Sequence, residues 1–223
     1  MRKVVSSILF FLLLFFLVSG VTPGQPQDEA KDLAAILDQF KKAQESIEDF
    51  TADIKQVKVS SLLKEPAVSR GRMRFKRPNQ VWLEMYSPYP SITALDEGVL
   101  LIYSPDEKIA QRYQVAGNPA LAKWLLFLQN PLETLGEKIR LQGKKAGEVV
   151  LGIDPVEDLA FFQEIRIAVD TSNWMPKRLE MVEKNGDRTT INYYNIMINS
   201  GILASSFKLR LPPDCDIIEP MRR

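Results

Sequence analysis

Strict alternation of apolar and polar residues, in short stretches each closed by a turn signal, recurs along this chain from Phe50 to Leu211. A period of two is the signature of strands that present one face to a core. Phe50, Ala52 and Ile54 alternate with Thr51, Asp53 and Lys55. Over residues 69–76, Gly71, Met73 and Phe75 alternate with Arg70, Arg72, Arg74 and Lys76, so that one face is apolar and the other basic. Pro78-Asn79 turns the chain into Val81, Leu83 and Met85, which alternate with Trp82, Glu84 and Tyr86 before Pro88 and Pro90 end the run. Further strands are expected at 92–95, 99–103, 108–115, 139–142, 148–153, 162–170, 177–184 and 188–195, the last pair joined by the hairpin dipeptide Asn185-Gly186. A final strand is expected at 207–211, stopped by Pro212-Pro213.

Two regions break this period. Over residues 28–49, Leu33, Ile36, Leu37, Phe40, Ala43 and Ile47 fall at helical spacing, which predicts one long helix with a single buried face. Between Asn118 and Lys138 two short helices are expected, 119–128 and 131–137, each with proline at its first position. The first carries Leu121, Ala122, Trp124, Leu125, Leu126, Phe127 and Leu128 and has almost no polar side. Such a helix must be covered, or must cover something.

About eleven strands exceed what a flat sheet carries, and such sheets curl. The expected fold is therefore mainly β (α+β), a strongly curled antiparallel sheet with helices in its concave face. The inward positions Met73, Phe75, Val81, Leu83 and Met85 would line an apolar cavity there.

Composition removes most enzyme classes. Histidine is absent, so the usual general base, the commonest metal ligand and every Ser-His or Cys-His nucleophile are missing. There is no glycine-rich phosphate loop and no metal-ligand spacing, so neither cofactor nor metal is expected. With 29 basic and 28 acidic residues the chain is near neutral, which argues against nucleic acid as a partner. Cys215 is the lone cysteine, so no intramolecular disulfide can form and the core must hold the fold.

At the N-terminus, Met1-Arg2-Lys3 precedes an apolar run from Val4 to Val18 that is short for a membrane span, followed by small residues. This pattern predicts an export signal over 1–24, cleaved near Gly20 or Gly24, and one domain over 25–223. No cysteine follows the apolar run to receive a lipid, so a soluble protein exported from the cytoplasm is expected.

Four segments in order resemble the periplasmic outer-membrane lipoprotein carrier family, the LolA-like proteins. They are Phe50 to Gln56, the Gly-led strand from Gly71 to the Arg77-Pro78-Asn79 turn, the Asp-Gly hairpin ending in Tyr103-Ser104-Pro105, and Phe207 to Pro213. The resemblance implies an unclosed antiparallel β-barrel capped by a helical lid, whose cavity takes the acyl chains of lipoproteins. It implies the periplasm as location, and as partners acylated lipoproteins, an inner-membrane lipoprotein-release transporter and an outer-membrane lipoprotein receptor, with the carrier a monomer and not an enzyme. Arg77 would hold the lid, which includes Leu121, Trp124 and Leu125. Leu37 and Phe40 would join Met73, Phe75, Val81, Leu83 and Met85 around the acyl chains. Val81 and Leu83 stand where family members often carry aromatics, and Glu97 is an addition to the Asp-Gly turn. On the residues alone, Arg77 reads as a solvated turn arginine, Trp124 and its neighbours equally well as dry core filling or as a lid, and Arg70, Arg72, Arg74 and Lys76 as solvated edge-strand charge. A periplasmic lipid or lipoprotein sensor and a glycolipid carrier are the alternatives, with a lipid hydrolase third.

Overall fold

The structure is a computed structural model that describes residues 26–86, 88–117, 139–154 and 162–219. One helix, α1 (Pro26–Glu45), precedes β1 (Asp49–Val59), β2 (Ala67–Lys76), β3 (Gln80–Met85), β4 (Ser91–Asp96), β5 (Val99–Ser104) and β6 (Ile109–Gln114). After residues 118–138 come β7 (Ile139–Lys145), β8 (Glu148–Ile153), β9 (Phe162–Asp170), β10 (Pro176–Glu183), β11 (Arg188–Ile198) and β12 (Asp216–Ile218). Every strand expected between Phe50 and Asn195 forms. The two short helices expected at 119–128 and 131–137 lie outside the described residues.

All twelve strands join one sheet in the order β12-β6-β5-β4-β3-β2-β1-β11-β10-β9-β8-β7. The two halves of the chain form two meanders, and β1 pairs with β11 to join them, Ile54 facing Tyr193 and Gln56 facing Ile191. The end strands β12 and β7 do not pair with each other, so the barrel is unclosed. Every pairing is antiparallel except that of β12, which runs parallel to β6. A bulge between Thr51 and Asp53 gives β11 an extra residue, and Asn195 takes a left-handed φ of 49° there.

Two sequence expectations are corrected. The helix stops at Glu45 rather than reaching Asp49, because Asp49 opens β1 and its carboxylate is occupied elsewhere. Residues 207–211 do not form a strand. Phe207 ends a short 3-10 turn (Ala204–Phe207) and is fully buried, and the segment lies across β3 and β4. Alternation there reflects packing on a sheet face, and the C-terminal strand is β12, beyond Pro212-Pro213.

Helix α1 forms because its apolar residues make one stripe. Ile36 and Phe40 are buried, with Leu33 and Leu37 beside them, against Ile139, Val149, Leu151, Ile153, Ile165 and Val169. An i,i+4 ion pair, Asp38 to Lys42 at 2.7 Å, supports the opposite side. The helix therefore packs on the β7–β10 half of the inner face.

Candidate functional site

The cross-strand register decides which residues share the inner face. Phe50 pairs with Phe75, Ala52 with Met73 and Ile54 with Gly71. Met73 then faces Leu83, Phe75 faces Val81, and Gly71 faces Met85. Val81 leads on to Leu95, Leu95 to Leu100, and Leu100 to Tyr113. Side chains opposite one another in a ladder lie on one side of the sheet. The five β2 and β3 residues named from sequence, Met73, Phe75, Val81, Leu83 and Met85, are thus brought onto one surface.

Part of that surface is already closed. Phe75, Val81, Leu95 and Leu100 are buried in a cluster, with Phe50, Met73, Ile102, Tyr113 and Val115 against it. The Phe50 and Phe75 rings stack with centroids 5.5 Å apart. Leu83 and Met85, nearer the far end of the strands, are only half-buried. Leu37 and Phe40 stand elsewhere, in the packing between α1 and β7–β10, and Phe40 is a core residue.

Between the two clusters run β1 and β11, where Ile54 is buried and Tyr193 lies opposite it. Burial pushes the Tyr193 phenol up to about 12. The sequence analysis did not single out Tyr193, although its place one residue from the exposed Tyr194 in an alternating strand was the available signal. None of the inner-facing residues named here is charged.

Arg77 anchors one end of this face. Its backbone N–H donates to the Glu48 carbonyl at 2.8 Å, its Nε donates to the Ile47 carbonyl at 2.7 Å, and its Nη2 donates to the Gln44 carbonyl at 2.7 Å. The guanidinium therefore ties the β2–β3 turn, where the Arg77–Pro78 peptide is cis, to the last turn of α1 and the corner that follows. It is not a solvated turn residue. Leu121, Trp124 and Leu125 lie outside the described residues.

A second latch lies beside it. Asp49, 2% exposed, accepts the backbone N–H groups of Ser200, Gly201 and Ile202 and the Ser200 hydroxyl. Burial, the largest influence, pushes the Asp49 carboxyl up, but the four hydrogen bonds together outweigh it and hold the carboxyl below the ordinary range. Asn199 completes the corner, accepting from the Glu48 N–H and donating to the Ser46 carbonyl.

On the outer face, β2 is an interior strand, which corrects the reading of its basic residues as edge charge. Arg72 pairs with Asp53 at 2.9 Å, and the Arg74 guanidinium lies over the Trp82 ring at 4.9 Å. Asp53, Arg72 and Arg74, with Glu84, Tyr86, Asn195 and Met197, line a groove of about 520 Å³. Among the described residues no group of three or more His, Cys, Asp and Glu side chains could hold a metal ion. No described helix is long and apolar enough to cross a membrane.

Comparison with known proteins bears on this arrangement. An outer-membrane lipoprotein carrier protein of Chromohalobacter salexigens is 25% identical over 194 residues, spanning 85% of this chain and 86% of its own. The protein of the same description from Pseudomonas fluorescens is 23% identical over 214 residues, spanning 93% of this chain and 97% of its own. The fold is similar to that of an uncharacterized conserved protein from Thermus thermophilus, with a TM-score of 0.57 at 12% identity, over 85% of this chain and 99% of that one. The family described as outer membrane lipoprotein carrier protein LolA matches residues 45–210, from the last residue of α1 through the segment that crosses the sheet. Together with the unclosed, curled sheet, that match shows that the chain belongs to the outer membrane lipoprotein carrier family.

Proposed function

We propose that this protein is a periplasmic, non-enzymatic carrier that holds lipoprotein acyl chains against its inner face. It would ferry them from the inner to the outer membrane, taking cargo from a release transporter and yielding it to an outer-membrane receptor. In this reading residues 1–24 are an export signal and 25–223 the carrier domain. The observation that carries the proposal is the uncharged inner face running from Tyr113 through Leu83 and Ile54 to Leu151, on a sheet whose two ends do not meet. An acyl chain in water costs about 0.8 kcal/mol per CH₂, so a lipoprotein crossing an aqueous gap needs such a surface around its chains.

Leu37, Met73, Leu83 and Met85 are the half-buried apolar residues best placed to meet an acyl chain, with Phe40, Phe75 and Val81 as the packed floor beneath. Leu121, Trp124 and Leu125 would cover the chain as a lid. Release requires that the empty face re-close, and Arg77 would serve this by fixing the end of α1 relative to β2 and β3.

The test is mass spectrometry of organic extracts from the protein purified out of its own periplasm, beside its intact mass under non-denaturing conditions. Co-purified acylated lipoprotein is the expected result. Free phospholipid or glycolipid would keep the surface and change the cargo, and a protein that is always empty would overturn the carrier reading in favour of a sensor.

A further inference from the structure

The β1–β2 hairpin runs well past β3 on one side, while β11 stays paired with β1 as far as Val59 on the other. The last pair between β2 and β3 is Gly71 with Met85, yet β2 begins four residues earlier, a projection of about 13 Å before the loop starts. The loop at its tip is ordered, with the Leu62 N–H bonded to the Ser60 hydroxyl at 3.3 Å and the Leu63 N–H to the Ser60 carbonyl at 3.0 Å. Even so, Leu62 is 91% exposed. Val59, Leu63 and Val68 around it are exposed too, as are Tyr86 and the 75% exposed Tyr89 on the β3–β4 connection. The Tyr86 N–H donates to the Arg70 carbonyl at 2.7 Å, which places that connection on the flank of the same hairpin. Six of the eleven exposed large hydrophobics of the described residues therefore crowd onto one end of the sheet.

The charges there are unusual as well. Across the rest of the sheet most basic side chains find acids, such as Arg72 with Asp53, Arg140 with Asp154 and Lys177 with Glu148. At this end Lys58, Lys64 and Arg70 make no ion pair among the described residues. Nor do Lys184 and Arg188 on the β10–β11 turn, which the pairing of Val59 with Arg188 brings alongside. The acids present are Glu65, Glu183 and the buried Asp187. Exposed leucines at a projecting tip, tyrosines set back behind them and uncompensated lysines around both match the layers of a bilayer interface: acyl boundary, headgroup level and anionic surface.

We propose that this end of the molecule, with Leu62 and Leu63 at its tip, docks on an anionic lipid bilayer. The surface lies at the end of the sheet opposite Arg77, and the proposal does not depend on what the inner face carries, so it stands or falls apart from the carrier reading. Docking there would bring the half-buried Met85 end of the inner face towards the membrane.

The test uses the whole chain with phosphatidylcholine vesicles, with and without phosphatidylglycerol, and reads binding by flotation. Because the apolar run from Val4 to Val18 could itself enter a bilayer, an environment-sensitive fluorophore is placed at the tip, on Leu62→Cys in a Cys215→Ser background. The expected result is a blue shift only with phosphatidylglycerol present, reversed by salt. The double variant Leu62→Asp, Leu63→Asp should lower partitioning at least about tenfold. Lys58→Gln and Lys64→Gln should each lower it roughly fivefold. An unshifted probe on vesicles that carry the protein, or a phosphatidylglycerol-dependent gain in binding that the double variant leaves unchanged, would overturn the proposal. So would tip-dependent self-association without lipid, which would make the rim a contact between two copies.

Discussion

Two side chains hold the junction between α1 and the sheet, and each does so through backbone groups far away in sequence. Asp49, itself buried, accepts three consecutive N–H groups on one carboxylate. Asn would keep one acceptor oxygen but turn an NH₂ group toward those donors. Asp49→Asn should therefore cost about 1–3 kcal/mol, read as a lower urea midpoint at neutral pH. The pH dependence follows from the depressed carboxyl. Its contribution is complete above the ordinary value of 3.8 and is lost as pH falls through the lower folded value. The gap between wild type and variant should accordingly narrow below that pH. A gap constant down to strong acid would mean the carboxylate charge is not what the three amides recognise. Arg77 makes the complementary contribution as a donor to two carbonyls. Arg77→Leu should lower stability by about 1–3 kcal/mol. If α1 must keep its angle for the inner face to re-close, it should also slow cargo release in a transfer assay. Arg77→Lys should resemble Leu rather than wild type, because a single ammonium cannot span the Gln44 and Ile47 carbonyls as the fork does.

At the scale of elements, α1 illustrates how a legible pattern leaves its partner unspecified. The spacing Leu33, Ile36, Leu37, Phe40 identified a helix with one buried face, but nothing local said that this face would sit on β7–β10, whose residues lie a hundred positions on. Phe40→Ala tests the docking directly. Loss of a core ring should cost about 3–5 kcal/mol in chemical denaturation. A cost near zero would mean that the helix rests loosely on the sheet. Strands were legible for the same reason the helix was, since each needs only its own alternation and turn residues. The segment after Leu203 shows where this fails. Alternation around Phe207 records one buried and one open side, and a chain lying across a sheet satisfies that as well as a hydrogen-bonded strand does. Strand β12 carries three residues and pairs in parallel with a strand a hundred positions earlier, so no local period announces it. Arg77 stood out only by its place before Pro78. Its acceptors are carbonyls, which every residue has and which a sequence therefore cannot mark.

For the whole molecule, an unclosed sheet leaves two edges, and they are protected by different means. The β7 edge carries Arg140, Lys144 and Lys145 and a register irregularity between Leu141 and Gly143, features that discourage another strand from adding there. The β6 edge, Ile109–Gln114, has one positive charge, Arg112, and is instead covered by β12. The cover is held by the Asp216 N–H to the Lys108 carbonyl at 2.9 Å and by the ion pairs Lys108 to Asp214 at 2.5 Å and Arg112 to Glu219 at 3.6 Å. The ion pairs are exposed and contribute little by themselves, so the backbone bonds of a three-residue strand do most of the covering. Asp216→Pro removes the N–H that Lys108 accepts. The expected outcome is a small loss of stability, because few contacts depend on β12, together with concentration-dependent association through the uncovered β6 edge, seen by sedimentation. A variant as monodisperse as wild type at every concentration would mean that β6 needs no cover and that the curl of the sheet alone keeps its edge from pairing.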